Sequence, residues 1–301
     1  MRRALTGVAL WTVLICGGAA QAQEEHAAGP PPMSMQDRYQ HAKGLMESGQ
    51  DDEAAAAFEW LWRNTGPGKE RGFSGVRVSF MANDMEELAG RHEGARAAFT
   101  ALRDESAAAM TAKPTDSYRV TEWLVLSEVV GDRAAILMWF DGVKNDPRQM
   151  RLIASQSLRL EPMLLEEERW SDIAIIHPDP IASFNQAVAF DRMTPDRVPG
   201  IDDPEFVELM ARMRKDQVRG KAGTLYAAML AAGRVNDAEK LAAKACEHDP
   251  SPKMTVALVR TALIAGEPRA EHLEWLHEAS KQGEATDGLF QQVEAALRAR
   301  S

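Results

Sequence analysis

One pattern, repeated at fixed spacing, constrains the fold of this chain more than any other feature. It consists of a glycine, an acidic or polar stretch, small and apolar residues, and a phenylalanine nine positions after the glycine. Successive copies begin 41 residues apart, without slippage, at residues 49–61, 90–102 and 131–143. A turn followed by a helix of constant apolar pattern is typical of stacked helical hairpins. The pattern therefore predicts a repeat protein.

Composition agrees with helix rather than sheet. Of the 301 residues, 45% are hydrophobic and only 6% aromatic, and alanine is abundant. We expect an all-α fold of stacked helix-turn-helix hairpins in two arrays joined by an irregular helical middle. The predicted divisions are a signal peptide (1–22), a proline-rich leader (23–34), an N-terminal array (35–150), a connector (151–218) and a C-terminal array with a capping helix (219–301).

The first hairpin carries a specific set of small and aromatic residues. Ala42 precedes the turn, Gly49 occupies it, and Ala54, Phe58 and Leu61 follow on the second helix. This arrangement resembles the tetratricopeptide repeat, whose alanines allow close helix packing and whose aromatic fills the space between hairpins. The resemblance covers about residues 35–145 and 221–280. It implies helical hairpins and a protein- or peptide-binding role.

The first 22 residues have the features of a secretory signal. Arg2 and Arg3 precede an apolar run that ends at Cys16, and residues 20–22 read Ala-Gln-Ala. We expect cleavage after Ala22 and export to the periplasm or the medium, with no membrane insertion afterwards. An uncleaved anchor and a lipoprotein attached through Cys16 are the alternatives.

Charge and cysteine count limit the partners and the cross-links. Removal of Arg2 and Arg3 would change the net charge from −10 to about −12, which disfavours nucleic acid as a partner. Cys246 would then be the sole cysteine of the cleaved chain, so an internal disulfide is excluded.

No catalytic or cofactor motif stands out, and we expect neither a cofactor nor a metal. Glu274 and His277 match half of a di-iron helix pair, but the sequence has no second copy. The alternative function is an envelope enzyme acting on peptide or polysaccharide around His177 and Asp179, with Ser171 or Ser183 nearby as a nucleophile.

The main functional expectation is a non-catalytic scaffold or adaptor that binds a protein or peptide. In the tetratricopeptide family the first helix of each hairpin lines a concave binding groove, which implies a set of partner-binding positions here. These are Tyr39, Lys43, Met46, Arg77, Phe80, Asp84, Glu87, Tyr118, Thr121 and Glu128. Packing of Tyr39, Phe80 and Tyr118 between hairpins is the alternative. Self-association also stays open.

Overall fold

The computed structural model describes residues 33–66, 72–193, 203–284 and 286–300, and in these residues all regular secondary structure is α-helical. The predicted all-α class is thus confirmed. The predicted signal peptide, most of the leader and residues 194–202 lie outside the described residues. The helices are α1 (Met35–Glu47), α2 (Asp51–Asn64), α3 (Phe73–Arg77), α4 (Phe80–Arg91), α5 (Glu93–Ala112), α6 (Ser117–Val129), α7 (Arg133–Val143), α8 (Met150–Ser155), α9 (Ser157–Glu166), α10 (Trp170–Ile176), α11 (Pro180–Met193), α12 (Pro204–Ala231), α13 (Val235–His248), α14 (Pro252–Ile264), α15 (Glu271–Lys281) and α16 (Asp287–Arg300).

Two of the three repeated glycines end a helix in the predicted way. Gly49 and Gly131 have φ values of +76° and +74°, the left-handed region that glycine adopts at low cost. At Gly49 the turn is closed by Gln50 N, which donates to the Leu45 carbonyl at 2.9 Å. The left-handed cap expected at Gly49 is therefore confirmed.

The turn expected at Gly90 is wrong, because Gly90 lies inside α4. The connection is made two residues later by His92, which has an extended backbone with φ −129° and ψ 115°. Its imidazole Nδ1 accepts a hydrogen bond from Ala95 N at 3.0 Å and so caps α5. A side-chain cap replaces the glycine turn there.

The repeated phenylalanines are buried, as their constant register predicts. Phe58, Phe99 and Phe140 are all 0% exposed. The first two lie in a core formed by α1 to α6, together with Val125 and Leu126 of α6. Phe140 of α7 lies in a second core, together with Trp123 and Leu124 of α6. Helix α6 therefore contributes to both cores.

The second core extends from α6 to α14 and includes the segment predicted as a connector. Leu160, Ile173 and Phe184 from residues 151–218 share it with Leu124 and Leu225. Apolar burial thus continues across the boundaries expected at 150 and 218. A third cluster joins α14, α15 and α16.

The 28-residue helix α12 organises this second core. It packs against α10, α11, α13 and α14, and the boundary expected between 218 and 219 falls within it. Asp203 caps its start by accepting from Glu205 N at 3.0 Å, as predicted. Gly223 permits close approach of α14, because a Cβ there would lie 2.5 Å from Thr261 Oγ1. Of the helices described, none is both long and apolar enough to cross a membrane.

Candidate functional site

Polar side chains join each repeat to the next, and several predicted partner-binding residues belong to these contacts. Tyr39 is 6% exposed, and its hydroxyl donates to Asp84 Oδ2 at 2.5 Å. Burial, followed by the hydrogen bond to Asp84, raises the pKa of the Tyr39 phenol well above its usual range. Met46, one helical turn after Lys43, is also buried. Tyr39 and Met46 therefore pack between helices, and Asp84 serves as a partner of Tyr39.

Arg77 lies inside the protein rather than on a binding face. Its side chain is 3% exposed, and its Nε and Nη2 donate to the Trp62 carbonyl at 3.2 and 3.1 Å. The guanidinium also pairs with Glu122, donates to the Tyr118 hydroxyl and stacks 3.8 Å from the centre of the Trp62 ring. The structure thus places Arg77 and Tyr118 in a junction between repeats, since the pair is separated by 41 residues.

Thr121 and Glu128 connect α6 to the segment that follows the first array. Thr121 Oγ1 lies 3.2 Å from Gln156 Oε1, and Glu128 pairs with Arg159. Burial raises the pKa of the Glu128 carboxyl, Arg159 opposes this effect and Glu86 adds to it. Glu128 is therefore a partly dehydrated carboxyl between one cation, Arg159, and another carboxylate, Glu86.

Three of the predicted residues keep accessible side chains: Phe80, Glu87 and, to a smaller extent, Lys43. Phe80 is 65% exposed at the start of α4, an unusual setting for a large aromatic residue. Glu87 lies two turns further along the same helix, with its side chain 63% exposed and 3.7 Å from Arg91. Lys43 is half-buried.

The structure adds Leu158, which the sequence reasoning missed. Leu158 of α9 is 90% exposed. It precedes Arg159, whose Nη2 donates to the Val78 carbonyl at 2.8 Å, two residues before Phe80. A usable signal was present, since Leu158 lies on the side of α9 opposite the buried Leu160. We call Phe80, Glu87 and Leu158 together the Phe80 surface.

A cleft of about 510 Å³ lies between α4, the α6–α7 hairpin and α9, and Leu158 is the residue of the Phe80 surface that lines it. Leu158 forms part of its lining, together with charged residues of both signs: Glu86, Glu128, Glu166, Arg133 and Arg159. Both signs of charge beside an apolar side chain suit a peptide carrying polar and apolar groups. Of the ten predicted residues, Glu128 is the one that lines this cleft.

A second polar cluster surrounds His177. Its Nδ1 lies 3.0 Å from Ser183 Oγ, and its Nε2 contacts Glu161. Lys221 Nζ lies 2.5 Å from the same Glu161 oxygen and 3.2 Å from His177 Nε2. The expected carboxylate partner, Asp179, instead caps α11 by accepting from Ala182 N at 2.9 Å. The structure therefore places Ser183 directly against His177, as one alternative required, but the carboxylate on the other ring nitrogen is Glu161 and not Asp179.

This cluster has the composition of a nucleophile, a base and an orienting carboxylate. The contact with Glu161 places a proton on His177 Nε2, so Nδ1 is left to accept from the Ser183 hydroxyl. Burial opposes ionisation of Glu161, but the hydrogen bonds and charges of His177 and Lys221 outweigh it and lower the pKa of that carboxyl. His177 is 4% exposed and does not line the cleft beside Leu158. The arrangement suits a structural bridge between α9, α11 and α12.

The two histidines of α15, His272 and His277, lie on different faces of the helix. His272 is fully buried between Tyr226 Oη, at 2.8 Å from its Nε2, and the amide of Arg269. Burial, with a smaller effect of Arg269, lowers the pKa of His272 to about 4. Glu274 and His277 face solvent on α15. The part of the chain described contains no group of three or more His, Cys, Asp or Glu arranged to hold a metal.

Comparisons with family models, with curated proteins and with solved structures gave no significant match to this chain. The functional inference accordingly depends on the geometry of the Phe80 surface, its cleft and the buried clusters described above.

Proposed function

We propose that this protein is a non-catalytic interaction scaffold of the bacterial cell envelope, built of tetratricopeptide-like hairpins, which binds a protein or peptide through the Phe80 surface. The observation that carries the proposal is the exposure of Leu158, at 90%, in a cleft lined by both signs of charge. Phe80, 65% exposed, lies on α4, the helix that contributes Glu86 to the same cleft. Exposed aromatic and aliphatic residues with a charged border are favourable anchors for a partner.

The hairpin arrangement supports this proposal through its contacts. Helices α1 and α2, α4 and α5, and α14 and α15 are neighbours in sequence that pack together. Polar contacts also recur at nearly the repeat spacing, as in Tyr39–Asp84, Arg77–Tyr118 and Arg91–Asp51. In such arrays the outer positions of the helices are free to contact other molecules.

Export is a separate part of the proposal and has its own test. It is based on Arg2, Arg3, the apolar run and the Ala-Gln-Ala sequence. Mass spectrometry of the cellular protein should find Gln23 as an unmodified N-terminus. A diacylglyceryl group on Cys16 would establish the lipoprotein alternative instead.

Site-directed crosslinking tests the binding surface. Replacing Phe80 or Leu158 by a photoreactive benzoylphenylalanine should give discrete adducts in cells, because both positions face the proposed partner. Ile264 of α14 is the matched control, since it is apolar and 68% exposed. Equal adducts at all three positions, or none at Phe80 and Leu158, would contradict a specific partner at this surface.

The enzyme alternative rests on the contact of Ser183 with His177. A fluorophosphonate ester labels a serine that an adjacent base activates, so it can test this contact directly. Under the scaffold proposal Ser183 stays unlabelled, and Ser183→Ala leaves the crosslinks at Phe80 unchanged. Labelling of Ser183 that His177→Gln abolishes would favour the enzyme.

A further inference from the structure

A second groove lies between α13 and α15, away from the helices that carry the Phe80 surface. Its volume is about 550 Å³. Ala242 and Cys246 of α13 and Trp275 and Ala279 of α15 form its apolar part. The Trp275 ring is held from behind, because it packs 5.4 Å from the ring of the buried His272, centre to centre. The groove is therefore preformed, with small side chains that admit a partner's bulkier ones.

The border of this groove is acidic. None of the residues that line it is basic, and four are glutamates: Glu239, Glu271, Glu274 and Glu278. Just outside the lining, Arg269 pairs with Glu271 at 2.9 Å and lies 3.9 Å from Glu239, and Lys281 pairs with Glu278 at 2.6 Å. Glu274 has no ion pair within the described residues. The groove thus keeps a net negative charge.

The spacing of these charges indicates the shape of the occupant. Glu271, Glu274 and Glu278 are three and four residues apart, so they lie along one face of α15 over about 10 Å. A linear row of carboxylates beside an apolar channel complements a rod with an apolar stripe and a parallel row of cations. A basic amphipathic helix has this form.

We propose that this groove docks an amphipathic helix of a partner protein, with its apolar side chains against Trp275 and its lysines or arginines against the glutamates of α15. The existing ion pairs at Glu271 and Glu278 are partly or fully exposed, so exchanging their partners costs little. Screening of the charges by salt should weaken the complex. This site is distinct from the Phe80 surface, and each can fail without the other.

Cys246 provides a reporter within the groove. Its thiol is partly accessible, and burial raises its pKa, so alkylation is followed at mildly alkaline pH by mass spectrometry of the peptide that contains it. The full chain is mixed with a helical leucine–lysine peptide of roughly 14 residues, about four turns. Controls are a leucine–glutamate peptide and a lysine–glycine peptide with the same charge as the first.

The leucine–lysine peptide should slow alkylation of Cys246, while the two control peptides leave it unchanged. Glu274→Gln combined with Glu278→Gln should weaken its binding by about tenfold or more. Glu205→Gln with Glu208→Gln is the matched control, because both residues are exposed on α12 and the charge change is the same. Ala243→Trp, at an exposed position of the groove wall, should block the peptide without removing charge.

Three results would overturn the proposal. Equal protection by the leucine–glutamate peptide would show that the glutamates do not select the partner. Equal protection by the lysine–glycine peptide would show that the apolar channel is not used. No protection by the leucine–lysine peptide, with Cys246 reactive in the free protein, would remove the docking site.

Discussion

The glycines of the sequence repeat should respond to alanine in opposite directions, although they occupy the same place in the pattern. Gly49→Ala puts a Cβ on a residue at φ +76°, which costs about 1–2 kcal/mol for an L-residue. Alanine also makes the unfolded chain less flexible than glycine does, which offsets about 0.4–1 kcal/mol of this cost. The net loss should therefore be about 0.5–1 kcal/mol, and Gly131→Ala, at φ +74°, should behave alike.

Gly90→Ala should instead stabilise the protein. Gly90 is helical within α4, and a Cβ added there meets nothing within 4 Å. Alanine stabilises a helix interior by about 0.5–1 kcal/mol relative to glycine, and the stabilisation is smaller at a position so near the helix end. The two substitutions should thus differ by about 1 kcal/mol in the free energy of unfolding.

Urea unfolding followed by circular dichroism measures this difference. With a slope of about 3 kcal/mol per molar, 1 kcal/mol corresponds to a midpoint shift of about 0.3 M. Unchanged slopes are required, so that the shift reports stability alone. If Gly90→Ala destabilises as much as Gly49→Ala, the connection is a glycine turn, and the assignment of the turn to His92 is refuted.

Three further predictions follow from buried groups. Arg77→Ala should lower the free energy of unfolding by about 3–5 kcal/mol, because it leaves Glu122 without its buried partner. Arg148→Ala is the control: its side chain is 86% exposed, so the change in urea unfolding should be less than about 0.5 kcal/mol. Phe99→Ala should cost about 3–5 kcal/mol and Phe80→Ala less than about 0.5 kcal/mol in the same assay; equal losses would place Phe80 in the core. The pKa of His272 is about 4 in the folded protein, below the ordinary 6.5, so the unfolded chain binds the proton first as the pH falls. The free energy of unfolding should therefore decrease between about pH 6.5 and 4, by about 2 kcal/mol at pH 5 relative to neutral pH. His272→Gln should flatten this part of the stability profile, and an unchanged profile would contradict the assignment.

The sequence predicted the elements whose signals are local. The constant register of Phe58, Phe99 and Phe140 marked three buried positions, and Asp203 before Pro204 marked the start of α12. Such features depend on helical periodicity and on capping groups within a few residues, so the chain need not be folded to reveal them.

The candidate site was predicted less well, because side-chain accessibility depends on contacts from distant parts of the chain. Tyr39 and Arg77 occupy positions that a repeat array can expose, yet Asp84 and Glu122, each 45 residues later, hold them between repeats. Leu158 is the opposite case, because a leucine of the segment predicted as irregular is 90% exposed, next to Arg159, which binds the Val78 carbonyl.

The sequence by itself determined that this protein is helical and which residues carry the repeated pattern. Only the tertiary structure decided which polar residues form contacts between helices and that Glu161, not Asp179, contacts His177. It also decided that the hydrophobic core continues through residues 151–218. The physical reason is range. Helix periodicity and caps act over a few residues, whereas burial and charge pairing depend on side chains that the fold brings together from 15 to 81 positions away.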